Sequence, residues 1–219
     1  MDTSAAKPFQ VSRPQRRTML SRHLASIVEN LVGAGDSYAE LSVERIITAG
    51  GISRSTFYSY FDDKGDLLVA MAREVIGDLV GVGHAWWDLP PDATKADLRE
   101  ALRLPVDTYR AHRTIFGAVV ETAAYDARVR EQQQSLIDQV VASLAAHIGA
   151  AQKAGTADST VDPKRGAQWT VWMLEHGLYQ LVSSADETEV EQLLDAVTDM
   201  IWRIFYAGCR PEVRSHTVI

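Results

Sequence analysis

Apolar side chains recur every three or four positions along most of the chain, which is the spacing of one face of an α-helix. In the stretch 17–32 these positions are Leu20, Leu24, Ile27, Val28 and Leu31. No segment alternates apolar and polar residues between turn signals, as a half-buried β-strand would. The pattern therefore predicts an all-α protein.

Glycine and proline residues divide this pattern into about nine predicted helices. Their expected ranges are 17–32, 42–49, 54–60, 63–80, 95–112, 114–125, 127–154, 162–184 and 187–207. Ser42 and Ser53 are expected to cap the second and third helices, because a serine hydroxyl can accept a hydrogen bond from a free backbone N–H of the first turn. Pro105 lies inside the fifth helix and is expected to kink it.

Charge is divided unevenly along the chain, and this division suggests separate functions for its two ends. The net charge is −7, yet residues 1–61 contain seven Lys/Arg against five Asp/Glu, whereas the rest contains 15 against 24. A basic end on an acidic body favours contact of that end with a polyanion. Together with the predicted helices, this division predicts a flexible basic arm at 1–15, a three-helix domain at 16–62, a larger helical domain at 63–208 and a loose tail at 209–219.

The segment 42–61 has the organisation of a helix-turn-helix motif, in which two short helices are joined by a glycine turn. Arg54, Ser55 and Thr56 begin the second helix, where a recognition helix meets base edges in the major groove. Tyr58 and Tyr60 are predicted to reach backbone phosphates. The predicted DNA-binding residues are Arg16, Arg17, Ser42, Ser53, Arg54, Ser55, Thr56, Tyr58, Tyr60 and Lys64.

Several short sequences at fixed spacing identify a family resemblance. They are Ile46-Ile47, Gly51-Ile52-Ser53 and Thr56-Phe57-Tyr58-x-Tyr60-Phe61-x-x-Lys64-x-x-Leu67-Leu68. Together they resemble the N-terminal domain of tetracycline-repressor-type (TetR family) regulators. The resemblance implies that the third helix reads an operator in double-stranded DNA, while the tyrosines and Lys64 hold phosphates. Gly50 stands where the family usually has alanine, and we expect it to loosen the second helix by about 1 kcal/mol.

The last two predicted helices are apolar on more than one side. A helix that is apolar nearly all round is buried on both sides, and the stripe of Trp169 and Trp172 lies apart from the stripe of Val171 and Leu174. In a regulator of the TetR type this implies a homodimer in which both subunits contribute their last two helices to a four-helix interface.

Aromatic residues concentrate in the C-terminal part and suggest a pocket for a small hydrophobic effector, with solid core packing as the alternative. Glu175-His176-Gly177-Leu178-Tyr179 with Trp202 resembles the ethionamide-regulator (EthR-like) branch of the family, which implies a long, narrow, aromatic pocket. The predicted ligand-binding residues are Tyr109, Phe116, Glu121, Thr122, Trp169, Trp172, Met173, His176, Tyr179 and Trp202.

Other classes of protein find less support in the sequence. Asp62-Asp63-x-x-Asp66 has the form of a magnesium site, but its position at a helix start favours capping, and the single Cys209 excludes an internal disulfide. No histidine pair has metal-site spacing and no Gly-rich phosphate loop occurs, so neither a metal nor a cofactor is expected. No apolar run approaches the roughly 20 residues of a membrane helix, which favours the cytoplasm.

The sequence is interpreted as a ligand-responsive transcriptional repressor that a small hydrophobic molecule releases from a palindromic operator, and not as an enzyme. Two alternatives stay open at this point: an all-α enzyme, or a helical small-molecule-binding protein without DNA binding.

Overall fold

The computed structural model describes residues 12–34, 36–90 and 92–209. Over these ranges the chain forms nine α-helices and one π-helical segment, and no strand. The helices are α1 (Arg13–Gly33), α2 (Val43–Ala49), α3 (Arg54–Tyr60), α4 (Lys64–Trp87), α5 (Lys95–Ala111), α6 (Arg113–Ala123), α7 (Ala127–Lys153), α8 (Pro163–Gly177) and α9 (Glu187–Phe205), with the π-helical segment at Leu178–Val182. The predicted all-α fold is confirmed.

The first helix begins earlier than the sequence pattern indicated. Ser12 caps it: its hydroxyl accepts from the backbone N–H of Gln15, and the Gln15 side chain accepts from the Ser12 N–H. Pro14 suits the first turn, where its missing N–H would have no helical partner. Residues 13–15 are therefore helical and not part of a flexible arm. The remainder of the predicted arm, including Lys7, and residues 210–219 of the predicted tail lie outside the described residues.

The fourth helix continues to Trp87, beyond the predicted end near Val80. Gly81 and Gly83 do not stop it, because burial of Trp86 in the C-terminal core holds its last turns in place. Later in the chain, α8 passes into the π-helical segment instead of continuing as a regular helix to Ser184. Among the described residues, no helix is both long and apolar enough to cross a membrane.

Two apolar cores lie one after the other along the molecule. The N-terminal core joins α1 to α4 with α6, and includes Leu24, Ile46, Phe57, Phe61, Leu67, Leu68, Met71 and Ile115, each at most 1% exposed. The C-terminal core joins the end of α4 with α5, α7, α8 and α9, and includes Trp86, Leu98, Leu144, Ile201, Trp202 and Phe205. Since α4 contributes residues to both cores, it links the two parts of the fold mechanically.

The two glycines between α2 and α3 are each required for a different physical reason. Gly51 has a φ of +64°, in the left-handed region that favours glycine. Gly50 has helical dihedral angles, but a Cβ there would lie 2.8 Å from Leu24 Cδ2 and 3.1 Å from the Ile46 carbonyl oxygen. Gly50 thus allows α1 to pack closely on the end of α2, a role that the sequence analysis, which expected a loosened helix end, had not anticipated.

Candidate DNA-binding and ligand-binding sites

Serine caps fix the two helices of the helix-turn-helix motif. The Ser42 hydroxyl accepts from the Arg45 N–H at 3.1 Å, and the Ser53 hydroxyl accepts from the Thr56 N–H at 3.0 Å. The hydroxyl oxygens of Ser53 and Ser55 lie 2.8 Å apart. The start of α3 is therefore capped and polar, which suits a helix that reads base edges.

The third helix has one buried and one exposed side. Phe57 and Phe61 are buried in the N-terminal core, whereas Arg54, with 72% of its side chain exposed, and Tyr58, at 46% exposed, point outward. The Arg54 guanidinium lies 5.5 Å from the Tyr58 ring centroid and 3.4 Å from a Glu44 carboxylate oxygen. These contacts hold Arg54 at the surface while leaving most of it accessible to a major groove.

The remaining predicted DNA-binding residues differ in accessibility. Ser42, Ser53, Ser55 and Arg16 are exposed, Thr56 is half-buried, and Tyr60 is half-buried against the N-terminal core. Tyr60 is thus held by packing on one side, which limits its reach compared with Tyr58.

Arg17 and Lys64 have contacts within the protein that the sequence analysis did not foresee. Arg17 Nη2 lies 2.6 Å from Asp66 Oδ1, and its guanidinium lies over the Phe61 ring. Lys64 Nζ donates to three backbone carbonyls of the loop before α2, those of Tyr38, Ala39 and Leu41, at 2.8 to 3.0 Å. Burial lowers the pKa of Lys64. Both side chains tie α4 to the rest of the domain, so these internal contacts give them a positioning role, and their contact with DNA phosphates stays a prediction.

The acidic residues at the start of α4 act as caps and ion-pair partners. The Asp63 carboxylate accepts from the Asp66 N–H at 2.8 Å and lies 2.9 Å from Arg128 Nη2. Hydrogen bonds from the Asp66 N–H and from Arg128 hold the pKa of Asp63 below its usual value, against the opposing effect of burial. Over the described ranges no three His, Cys, Asp or Glu residues are grouped as a metal would require.

A cavity of about 170 Å³ lies between the two cores. Its wall comes from α4, α5, α6, α7, α8 and the π-helical segment, and it is almost entirely apolar. The aromatic residues of the wall are Trp86, Trp87, Tyr109, Phe116 and Tyr179, and the Tyr109 and Phe116 rings stack at 4.9 Å between centroids. Pro105 also lies on this wall, inside an α5 that the structure shows as continuous.

Three of the predicted ligand-binding residues line the cavity, and seven do not. Tyr109, Phe116 and Tyr179 are on its wall. The residues outside it are Glu121, Thr122, Trp169, Trp172, Met173, His176 and Trp202.

Each of these seven residues has a definite place elsewhere. Glu121, Trp169, Trp172 and His176 are exposed, while Thr122 is buried and accepts a hydrogen bond from Tyr125. Met173 and Trp202 pack in the C-terminal core. The structure therefore does not place these seven residues on the cavity wall, contrary to the prediction.

The orientation of α8 explains most of this correction. Val171, Leu174 and Leu178 face the cavity, so the stripe that contains Trp169 and Trp172 faces away from it. The sequence showed two apolar stripes on this helix but not which of them faced inward.

Glu175 is a cavity residue that the sequence analysis did not include among the ligand-binding residues. It lies four positions after Val171 and three before Leu178, which places it on the inward stripe. That spacing was a usable signal, because a carboxylate on an apolar inward face is unusual. Gln133, Trp86 and Trp87 were also missed, the last two because the sequence analysis placed them in a loop.

The polar groups of the cavity wall are incompletely paired. Glu175 Oε1 accepts from Gln133 Nε2 at 3.2 Å. Burial raises the pKa of Glu175, against the opposing effects of His176 and of the Gln133 hydrogen bond. Tyr109 is 4% exposed, and its hydroxyl, like the Trp87 indole N–H, has no hydrogen-bond partner among the described residues. Burial, followed by the nearby Glu175 and Tyr179, raises the pKa of Tyr109.

A second feature lies on the outside of the C-terminal domain, where large apolar side chains of the last helices are exposed. Trp169 is 79% exposed, and Trp172, Leu181, Met200 and Ile204 are between 39% and 54% exposed. Soluble proteins seldom expose a run of large apolar residues of this kind unless another molecule covers it.

These features define a helix-turn-helix DNA-binding protein with an internal apolar cavity. Residues 34–71 match the family described as "Bacterial regulatory proteins, tetR family", and residues 98–207 match "Transcriptional regulator EthR, C-terminal domain". The chain belongs to the TetR family of transcriptional regulators, and its C-terminal domain is of the EthR type.

Similar curated proteins and solved structures agree with this assignment. The chain is 28% identical over 167 residues to the HTH-type transcriptional regulator EthR of Mycobacterium tuberculosis, covering 74% of this chain and 77% of that protein. It is 28% identical over 125 residues to EthR of Mycolicibacterium smegmatis, with 57% of each chain covered.

Solved structures share the fold at lower sequence identity. A TetR-family regulator from Syntrophomonas wolfei matches with a TM-score of 0.66 at 17% identity, covering 83% of this chain and 94% of that one. Salmonella enterica GusR matches with a TM-score of 0.66 at 19% identity, covering 89% and 97%.

Proposed function

We propose that this regulator is a homodimeric repressor, acting in the cytoplasm, which leaves a near-palindromic operator when a small hydrophobic molecule occupies the cavity. The observation that carries this proposal is the position of α4. Leu67, Leu68 and Met71 of this helix are buried in the core of the DNA-binding domain, while Ile76 and Leu79 lie on the cavity wall.

The exposed side of α3 supports operator binding. Arg54 can donate two hydrogen bonds to one guanine edge, which is the most common specific contact in the major groove. The exposed Tyr58 hydroxyl suits a backbone phosphate, which fixes position without carrying sequence information.

The exposed apolar face of the last helices supports dimerisation. Trp169 and Trp172 on α8 and Met200 and Ile204 on α9 would become buried if a second copy packed its own α8 and α9 against them. Such a two-fold interface uses the same surface on both subunits. It would place two α3 helices at a fixed separation, which suits an operator with two half-sites.

Two helices connect the cavity to the DNA-binding domain. Besides α4, α6 has Phe116 and Val119 on the cavity wall and Ile115 in the N-terminal core. At the start of α6, His112 Nδ1 lies 2.9 Å from Glu29 Oε1 of α1. A ligand that widens the cavity would shift α4 and α6, and therefore the separation of the two α3 helices. About 100-fold tighter binding to the DNA-free conformation corresponds to about 2.7 kcal/mol, and it would weaken operator binding by up to the same factor.

The proposal is tested by fluorescence anisotropy with DNA from immediately upstream of the regulator's own gene, against a scrambled duplex, over a range of salt concentrations. We expect tight binding to the upstream DNA that weakens steeply with salt. Arg54→Ala is expected to cost about 1–3 kcal/mol on this DNA and little on the scrambled duplex. Tyr58→Phe is expected to weaken both duplexes alike.

Lys153→Ala is the matched control, since it removes one positive charge at the last turn of α7, away from the DNA-binding domain. Equal losses on both duplexes for Arg54→Ala would remove its base-reading role. Equal and weak binding of the unmodified protein to both duplexes at low salt would contradict the assignment of this operator.

A further inference from the structure

The polar side chains of the cavity wall come together from separate elements. Glu175 lies on α8, Gln133 on α7 and Tyr109 on α5, and Tyr179 follows in the π-helical segment. The rest of the wall is formed by aliphatic and aromatic side chains. The cavity is therefore apolar except around Glu175, which we call its polar end, and a molecule that fills the cavity meets the Glu175 carboxylate there.

The carboxylate at this end has unused hydrogen-bonding capacity. An ionised carboxylate can accept about four hydrogen bonds, and Glu175 accepts one from Gln133 at 3.2 Å. The Tyr109 hydroxyl is buried without a hydrogen-bond partner among the described residues. Burying an ionised carboxylate with so few partners is unfavourable, which agrees with the raised pKa of Glu175.

We propose that the effector of this regulator is an apolar molecule that carries a protonated amine, and that Glu175 binds this amine. An ammonium group has three N–H donors, so it can donate to Glu175 and also to the Tyr109 oxygen. The stacked rings of Tyr109 and Phe116 add faces that attract a cation. This inference rests on the proposed function in one respect, namely that the cavity is the effector site.

Other ligand classes fit the same end less well. A carboxylate-bearing ligand would meet the like charge of Glu175 in an apolar surrounding, which disfavours its binding. A neutral ligand without a donor would bury the carboxylate further and leave Gln133 as its partner. A cation supplies the missing hydrogen-bond donors, and its charge also offsets the cost of burying the Glu175 carboxylate.

The size of the cavity selects suitable probes. A cavity of about 150 Å³ is known to accommodate benzene, and this one has about 170 Å³. We therefore choose 2-phenylethylamine, which is protonated at pH 7.5, and 2-phenylethanol, in which a neutral hydroxyl replaces the ammonium on the same skeleton.

The experiment is isothermal titration calorimetry of the full-length protein with each probe, without DNA. The unmodified protein is expected to bind the amine about tenfold or more tightly than the alcohol, the usual size of a charge-assisted hydrogen bond. Glu175→Gln keeps the shape of the side chain, and we expect it to abolish this preference while the affinity for the alcohol changes less than about threefold.

The control is Glu121→Gln, which makes the same change of charge at an exposed position of α6 outside the cavity. It should retain the full preference for the amine. If Glu175→Gln does not fold, Glu175→Asp retracts the charged group by one methylene and should reduce the preference without changing the net charge.

Equal affinity of the unmodified protein for both probes would overturn the inference, as would a preference that survives in Glu175→Gln. These results are independent of DNA binding. A protein that prefers the amine through Glu175 but never binds the operator would contradict the proposed function alone. If both probes bind with equal affinity and release the protein from DNA with equal potency, the result contradicts only the proposed ligand class.

Discussion

At the scale of single residues, the turn between α2 and α3 depends on the left-handed backbone of Gly51. A Cβ at Gly51 would meet nothing within 4 Å, so an alanine there is opposed by backbone strain and not by a steric clash with neighbours. We expect Gly51→Ala to lower the free energy of unfolding by about 1–2 kcal/mol.

Gly77→Ala is the matched control for this substitution. Gly77 lies on the exposed side of α4, and a Cβ there also meets nothing within 4 Å. Because alanine is the better helix former, this variant should gain about 0.5–1 kcal/mol. Urea unfolding of both variants measures the difference. A Gly51→Ala protein as stable as the unmodified one would show that the left-handed turn is not required.

The residues that were correctly placed from sequence are those whose structure depends on near neighbours. The caps Ser42 and Ser53 follow from positions within one helical turn. Lys64 could not be placed in this way, because its partners are backbone carbonyls of a loop more than twenty residues away. Its ammonium has the chemistry of a phosphate contact, but tertiary structure gives it other partners.

At the scale of elements, a row of ion pairs joins α5 to α9. Lys95 pairs with Asp199, Arg99 with Asp195 and Glu191, Arg103 with Glu191, and Arg110 with Glu187. Glu191 is the centre of this row, since both oxygens lie 2.6 to 2.7 Å from Arg103 nitrogens. Hydrogen bonds from Arg103 and then Arg99 lower its pKa to about 2.

This lowered pKa predicts how the stability conferred by Glu191 depends on pH. Its usual pKa is 4.5, so between pH 4.5 and about 2 the unfolded chain binds more protons at this site than the folded chain. The stabilisation is thus fully present above pH 4.5 and is lost as the pH falls towards 2. Glu191→Gln should therefore lower stability modestly at pH 7, and the difference from the unmodified protein should shrink as the pH falls below 4.5.

Chemical unfolding at pH 7 and at pH 3, each at low and at 1 M salt, measures this effect. Arg99, Arg103 and Glu191 are partly accessible to solvent, so high salt should also reduce the difference. Glu131→Gln on the exposed side of α7 controls for the change in net charge. A difference that stays constant with pH would mean that Glu191 acts through packing and not through its charge.

The orientation of α8 shows why element positions were only partly predictable. This helix is apolar on two sides, so periodicity alone does not say which side meets the rest of the subunit. In the structure a Cβ at Gly166 would lie 2.9 Å from Val161 and 3.3 Å from Phe205, so α8 packs closely on α9 at this point. The contact between Gly166 and Phe205 joins residues far apart in sequence, so the periodicity of α8 alone does not reveal it.

At the scale of the whole molecule, the cavity lies between a core that holds the DNA-binding domain and a core that supports the exposed α8 and α9. The long helix α4 belongs to both, with Met71 in the first and Trp86 in the second. The order of the helices was predictable from sequence, but the cavity was not, because its wall combines residues of five helices and the π-helical segment. Ligand response and dimer formation are therefore expected to be separable by substitution.

Trp169 provides the test of that separation. It is 79% exposed on the outer face of α8 and does not line the cavity. Trp169→Glu places a charge on the apolar face, which would be buried without a partner in the proposed dimer and should strongly favour the monomer. Sedimentation velocity over a range of protein concentrations measures the shift, and operator affinity should fall with it because each monomer reaches one half-site.

Tyr125→Glu is the matched control, since Tyr125 is 68% exposed and lies between α6 and α7, away from α8 and α9. It should leave the dimer intact. Binding of 2-phenylethylamine should be similar in both variants, because the described cavity wall comes from a single subunit. A Trp169→Glu protein that remains dimeric would contradict the proposed interface, whereas a monomer that no longer binds the probe would show that the cavity depends on the dimer.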